Sequence, residues 1–270
     1  MNELAGEMER DGIRGAKRGF KAAVNYLKKV PYDRTNPRPR VLIVGEYLLN
    51  FHAGANHEIE AYLEKNGFEI IEAHMTDVIQ KTYFTKDTMS REYHVDVSVK
   101  EKTWNRLADA IFDMAHEVTD RIASMHPLYT PPCRLPELVK GSDGIIQHTF
   151  DTGEGVLIPA EIIHYAEDGC RDFVILQPFE CLPNHIVGRG IVKRLKELYP
   201  EAQILSLDYD PDVSFANVEN RLQMMVMNEK LREEKERTAA GAEKESQASF
   251  DRKKQKPKSK QKKYYETVHI

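Results

Sequence analysis

The sequence predicts a three-layer α/β/α domain built on a mainly parallel, five-stranded sheet. Three features carry that expectation: five short apolar runs, segments of helical periodicity between them, and Gly, Pro or Asn residues at the changeovers. With 270 residues, 41% of them hydrophobic, the chain is long enough for one large core or two small ones.

Residues 10–28 place Ile13, Ala16, Phe20, Val24 and Leu27 at helical spacing, which predicts an amphipathic first helix. "VPYDRTNPRPR" (30–40) is a Pro-rich connector, and "VLIVGEY" (41–47) is a continuous apolar run of the kind buried on both faces of a sheet. A helix over 55–66 stops at Asn66-Gly67, and "FEIIEA" (68–73) is the second strand. Residues 75–100 are polar and read as an excursion outside the sheet. A long helix at 101–125 turns Trp104, Leu107, Ile111, Met114, Val118 and Ile122 to one face. Four prolines make 126–137 a loop, a short helix follows at 135–140, and "GIIQHTF" (144–150) is the third strand. Helix 156–168 stops at Gly169 before strand "FVILQPF" (173–179). Helix 184–198, strand "QILSLDYD" (203–210) and helix 213–227 complete the alternation. Right-handed crossovers between such strands give a flavodoxin-like or Rossmann-like sheet. Residues 1–37 thus form an N-terminal helix and linker and 38–227 the α/β domain. Residues 228–270 form a charged helical extension and a disordered basic tail.

The net charge of −4 predicts neither a nucleic-acid nor a membrane partner, but the charge is unevenly placed. "FDRKKQKPKSKQKK" (250–263) is strongly basic and suits an acidic partner; without interleaved aromatics it does not suit nucleic acid. No apolar run reaches the ~20 residues of a membrane span. A charged N-terminus is no secretory signal, and three cysteines make no disulfide framework, so a reducing cytoplasm is expected.

Ligands of open parallel sheets bind beyond the carboxyl ends of the strands. The loops concerned carry Glu46, Asn50, His52, Asn56, Glu154, Cys181, Asn184, His185, Asp208 and Asp210. Each has a plainer reading beside the functional one. Asp210, Asp212 and Asn184 sit where helix caps sit, and His52 and His57 lie in a Gly-containing loop. Gly153-Glu154-Gly155 could cradle a phosphate, but Glu154 opposes an anion. There is no P-loop, no complete dinucleotide fingerprint, no G-x-S-x-G elbow, no H-E-x-x-H and no paired C-x-x-C, so no ATP site is expected in this chain. Cys170 and Cys181 flank one strand, roughly 20 Å apart at ~3.3 Å per residue, and cannot share a cluster. Cys133, in the Pro-rich loop, reaches the upper edge only if that loop folds over it.

Residues 154–211, with "QPFECLPNH" at 177–185 and "DYDP" at 208–211, resemble the C-terminal module of the acyl-CoA dehydratase activase-related proteins, relatives of 2-hydroxyglutaryl-CoA dehydratase and its activator. "VLIVGEYLLNFHAGANHEIEAYLEKNGFEIIEA" resembles that family's Gly-Glu…Asn loop, so the likeness covers approximately residues 40–226. It is most specific at 177–185, where eight of nine residues coincide with the family's Gln-Pro-Phe-Gly-Cys-Leu-Pro-Asn-His. The departures are Val156 for a tryptophan, Glu180 for the small residue before the cysteine, and Ile175 where relatives often carry another cysteine. The actin-like ATPase domain of the long forms is absent.

The resemblance implies an iron–sulfur (4Fe–4S) electron-transfer or accessory module of a 2-hydroxyacyl-CoA dehydratase/activase system, at most a component of that lyase. It would act with partner subunits in an anaerobe's cytoplasm. Cys181 would be a cluster ligand and Cys133 a weaker second, with a partner completing the set. Glu46, Asn56, Glu154, Asn184 and His185 would shape the cofactor pocket. A clusterless regulatory or scaffold domain is the alternative. A third reading is a small-molecule α/β enzyme using Glu46, Glu154 and His185 for acid–base work.

Overall fold

The computed structural model describes residues 2–33, 35–210, 212 and 214–254. The chain is an α/β protein with one parallel sheet of four strands among the described residues, in the order β2-β1-β3-β4. β1 is Arg40–Gly45, β2 Glu69–Glu72, β3 Asp172–Pro178 and β4 Gln203–Tyr209. β1 and β3 are the central pair, registered Val41 to Asp172 through Gly45 to Leu176. Their continuous apolar runs are buried on both faces. Leu42, Val44, Phe173 and Ile175 pack with Ile158, Ile162 and Leu195, while Val41, Ile43, Val174 and Leu176 are just as inaccessible. The edge strands are less deeply covered: every residue of β2 is half-buried or exposed, and β4 has only some buried positions.

The helices, in chain order, are α1 Asn2–Leu27, α2 Tyr47–Phe51, α3 Ala53–Asn56, α4 Ile59–Lys65, α5 Asp77–Glu92, α6 Val99–Ala123, α7 Leu135–Gly141, α8 Leu157–Glu167, a π-helix Pro183–Arg189, α9 Val192–Leu198 and α10 Phe215–Lys254. The chain divides into two compact units, Met1–Leu222 and Gln223–Ile270. The sheet belongs to the first; the second, where described, continues as helix to Lys254. The expected disorder of the basic tail falls, from residue 255 on, outside the described residues.

Four sequence expectations are corrected. The predicted strand at 144–150 is a series of turns. Local side chains supply its backbone with partners, which competes with ladder pairing: the Ser142 hydroxyl donates to the Ile146 carbonyl at 3.3 Å, and the Asp143 carboxylate accepts the His148 amide at 2.7 Å. The helix expected over 55–66 is broken where His57 and Glu58 both adopt left-handed backbone (φ 61° and 55°). The helix expected over 184–198 is a π-turn followed by α9; Gly190, with no Cβ, lets the Ile186 carbonyl close against it. Finally, α6 does not bury the stripe its spacing predicts. Trp104, Leu107, Ile111 and Met114 are all at least half exposed. In α1 likewise, Val24 is buried but Ile13 and Leu27 are exposed.

Candidate functional site

The carboxyl end of β3 turns sharply. The Cys181 amide donates to the Pro178 carbonyl at 3.1 Å, and Glu180 holds the left-handed position of the turn at φ 64°. This turn delivers Cys181 to the start of the π-helix, where the buried Asn184 amide Nδ2 donates to the Cys181 Sγ at 3.2 Å. His185 is fixed at both ring nitrogens: Nδ1 faces the Cys181 carbonyl at 3.1 Å and Nε2 faces Asp208 Oδ1 at 3.1 Å. Asp208, on β4, also accepts from Gln177 and, at 3.2 Å, from Arg189. Cys181, Asn184, His185 and Asp208 therefore form one connected cluster. The 151–155 loop lies on it, since a Cβ on Gly153 would come 3.0 Å from Pro183. The other end of that loop is held by the buried Lys81 ammonium, which donates to Asp151 at 3.2 Å.

The loop after β1 is used differently. The Glu46 carboxylate caps α2, accepting the Leu49 amide at 3.0 Å. The Asn56 amide is spent on the Leu49 carbonyl and Glu60, while its backbone carbonyl accepts from the Tyr209 hydroxyl at 3.0 Å. His52 caps α3 through the Ala55 amide. These three hold the loop's shape. Of the set Glu46, Glu154 and His185, two members already have partners, Glu46 in the Leu49 amide and His185 in the Cys181 carbonyl and Asp208. Asp210 is exposed and accepts the Asp212 amide at 2.8 Å, the plain turn-capping role.

Beside this cluster lies a cleft that sequence reading missed in part. Gly45, Asn50, His74, Glu154, Leu157 and Glu161 are among its lining residues. Glu161 is buried within α8 and makes no hydrogen bond or ion pair among the described residues. Burial, and then the neighbouring Asp77 charge, push its carboxyl well above the usual range. Asp77, in the first turn of α5, is raised to about 7 by burial alone. Burial and the nearby His116 hold His74 below the ordinary histidine value, and it faces Asp77 with 3.8 Å between Nδ1 and Oδ2. Two carboxyls, an imidazole and the Asn50 side-chain oxygen thus converge at the ends of β1 and β2. Glu161 had one local signal, a lone acid inside the apolar run "LIPAEII"; Asp77 had none, because its partners come from distant segments.

Among the described residues, four buried amide oxygens without a protein partner lie at this edge. They belong to Asn50, Asn56, Gln177 and Asn184; a second set lies along α5 and α6. Native proteins rarely leave such groups unpaired, so a donor from solvent or ligand is the natural complement.

The three cysteines do not meet. Cys170 sits at the amino ends of the strands, its thiol within 3.3 Å of the Arg40 carbonyl, and burial pushes it up to about 11. Cys133 is half-buried, and its thiol is raised by burial and then by the Glu137 and Asp77 charges. No group of three or more His, Cys, Asp or Glu side chains placed to hold a metal ion occurs among the described residues. An iron–sulfur cluster takes three or four thiolates. One thiol, beside a histidine whose two nitrogens already face other groups, does not fit a complete cluster.

These features define a parallel α/β domain with a polar sheet edge. Comparison with protein-family models, curated proteins and solved structures finds no match for the chain.

Proposed function

We propose that this chain is an accessory, ligand-binding domain of the 2-hydroxyacyl-CoA dehydratase/activase type, without a complete cluster of its own, that acts with partner subunits. The observation that carries the reading is a cleft at the carboxyl edge of the sheet lined by Asn50, Glu154 and Glu161, where the buried Asn50 amide oxygen has no partner among the described residues. A hydrogen-bond donor of a bound small molecule would complete that group. The strand order 2-1-3-4 supports a doubly wound, three-layer, flavodoxin-like arrangement without the strand expected at 144–150. The resemblance at 177–185 supports the dehydratase/activase assignment.

A second reading is favoured by one feature. Cys181 is half-accessible at a sheet edge and its sulfur accepts an amide N–H, an arrangement that tunes a thiolate ligand. In that reading Cys181 contributes one ligand to an iron–sulfur cluster completed by a partner.

Iron and acid-labile sulfide, with an absorption spectrum, decide between them on protein isolated without oxygen together with the subunits that co-purify with it, alongside Cys181→Ala isolated in the same way. Iron-free, colourless protein for both forms is expected. Iron and sulfide with a broad band near ~400 nm, lost in Cys181→Ala, would replace the first reading with the second.

A further inference from the structure

α6 packs into the fold by its polar side. Gln80 donates to Asp109 and Asp113 at 2.9 Å each, and Arg106 donates to Asp87 at 2.9 Å. His116 meets Thr76 at 2.7 Å, and Arg134 donates to Asp120 at 2.7 Å. Asn105 and Ala108 are the buried residues of its first half. The opposite side carries Trp104 (59% exposed), Leu107 (51%), Ile111 (50%) and Met114 (60%), and the series runs on to Val118.

Their spacing is 3, 4, 3, 4, the alternation of a coiled-coil seam, which brings each apolar residue back to one line along the helix. Ala110 and Ala115, both exposed, flank the line, and such small side chains let a second helix approach closely. A helix that spends its polar side on the interior and leaves a continuous apolar seam outside has the reverse of the ordinary amphipathic arrangement. Scattered exposed apolar residues need no explanation, but a contiguous line of them marks an interaction surface.

We propose that this seam pairs with the same seam of a second copy of the chain, the two α6 helices running antiparallel about a two-fold axis between Leu107 and Ile111. That axis sets Trp104 against Met114 and Leu107 against Ile111 of the other copy, so all four residues find apolar partners in one isologous contact. Charge selects the direction. Lys100, at the start of the seam, comes beside Glu117 of the other copy, whereas parallel pairing would oppose Lys100 to Lys100 and Glu117 to Glu117.

Trp104 is the single tryptophan of the chain and reports on the seam directly. The experiment is sedimentation equilibrium of the full chain across the micromolar range, with Trp104 emission recorded on the same samples. A concentration-dependent shift from the 31.1 kDa chain to twice that mass, with a blue shift of emission tracking it, is expected. Ile111→Glu should weaken association about tenfold or more at unchanged far-ultraviolet circular dichroism. Lys100→Glu should weaken it too, and adding Glu117→Lys should restore it. A monomer at every concentration overturns the proposal. So does an already blue-shifted emission independent of concentration, which would mean that the chain covers its own seam. A dimer indifferent to both Ile111→Glu and Lys100→Glu overturns it as well.

Discussion

At Asp77, burial has a consequence that solution measurements can read. Its carboxyl is raised from 3.8 to about 7, so the folded protein holds a proton that the unfolded chain has released. Where the folded state binds more protons, stability falls as pH rises. The contribution is therefore undiminished below about pH 4, declines as pH climbs toward about 7, and is level beyond. The groups facing Asp77 are His74, Glu161, Tyr47 and Cys133. Glu161 acts in the same direction, and His74, with its lowered value, acts in the opposite one. Comparing wild type with Asp77→Asn isolates the one group. Urea midpoints from pH 4.5 to 8 should show the variant gaining on wild type as pH rises, by roughly 2–4 kcal/mol at the alkaline end. Parallel curves would mean that Asp77 is ionised in the fold. Glu180 offers a simpler test. Its φ of 64° suits glycine, which stands at this position in the resembled family's motif. Glu180→Gly should stabilise the protein by ~1 kcal/mol, the left-handed strain released exceeding the extra entropy of the unfolded glycine. An unchanged or lower midpoint would show that Glu180 makes a compensating contact.

Among the elements, those legible in the sequence are the ones whose burial is uniform. β1 and β3 read as strands because both faces are covered and the apolar run is unbroken, and helices stop at Gly67 and Gly169 because both hold positive φ. The segment 144–150 misled because two isoleucines beside each other look like a strand, while Ser142 and Asp143 quietly satisfy the backbone locally. In the site, the Cys181–Asn184–His185 grouping was legible since one turn brings it together. The Asp77–Glu161 pair was not, because 84 residues separate its members in sequence. The junction of β1 with its loop makes the third prediction. Gly45 has φ 133°, and a Cβ there would fall 2.0 Å from the Leu176 carbonyl, the same oxygen that accepts the Glu46 amide. Gly45→Ala must part β1 from β3 at the mouth of the cleft, and a loss of about 3 kcal/mol is expected. Gly144→Ala, in open space, is the control and should shift the urea midpoint little.

Over the whole molecule, stability is distributed by what each element buries. The sheet centre is held by residues from β1, β3, α8 and α9 that are almost wholly withdrawn from water. Each such side chain contributes about 1.5–3 kcal/mol of transfer free energy. α6 is attached instead through ion pairs and amide hydrogen bonds, several of them half-exposed, and pairs of that kind contribute little individually. A molecule built this way opens in stages, with the polar-packed helix α6 opening at lower free energy than the sheet. Hydrogen exchange resolves the two stages. In Ile111→Glu, which cannot close the α6 seam, amides of α6 should exchange about tenfold or more faster than those of β1 and β3. In the wild-type chain the gap should narrow as concentration rises, because the second copy adds to α6 the apolar burial its own fold withholds. Equal protection of α6 and β3 in Ile111→Glu would show that the polar contacts hold the helix as firmly as the core holds the sheet.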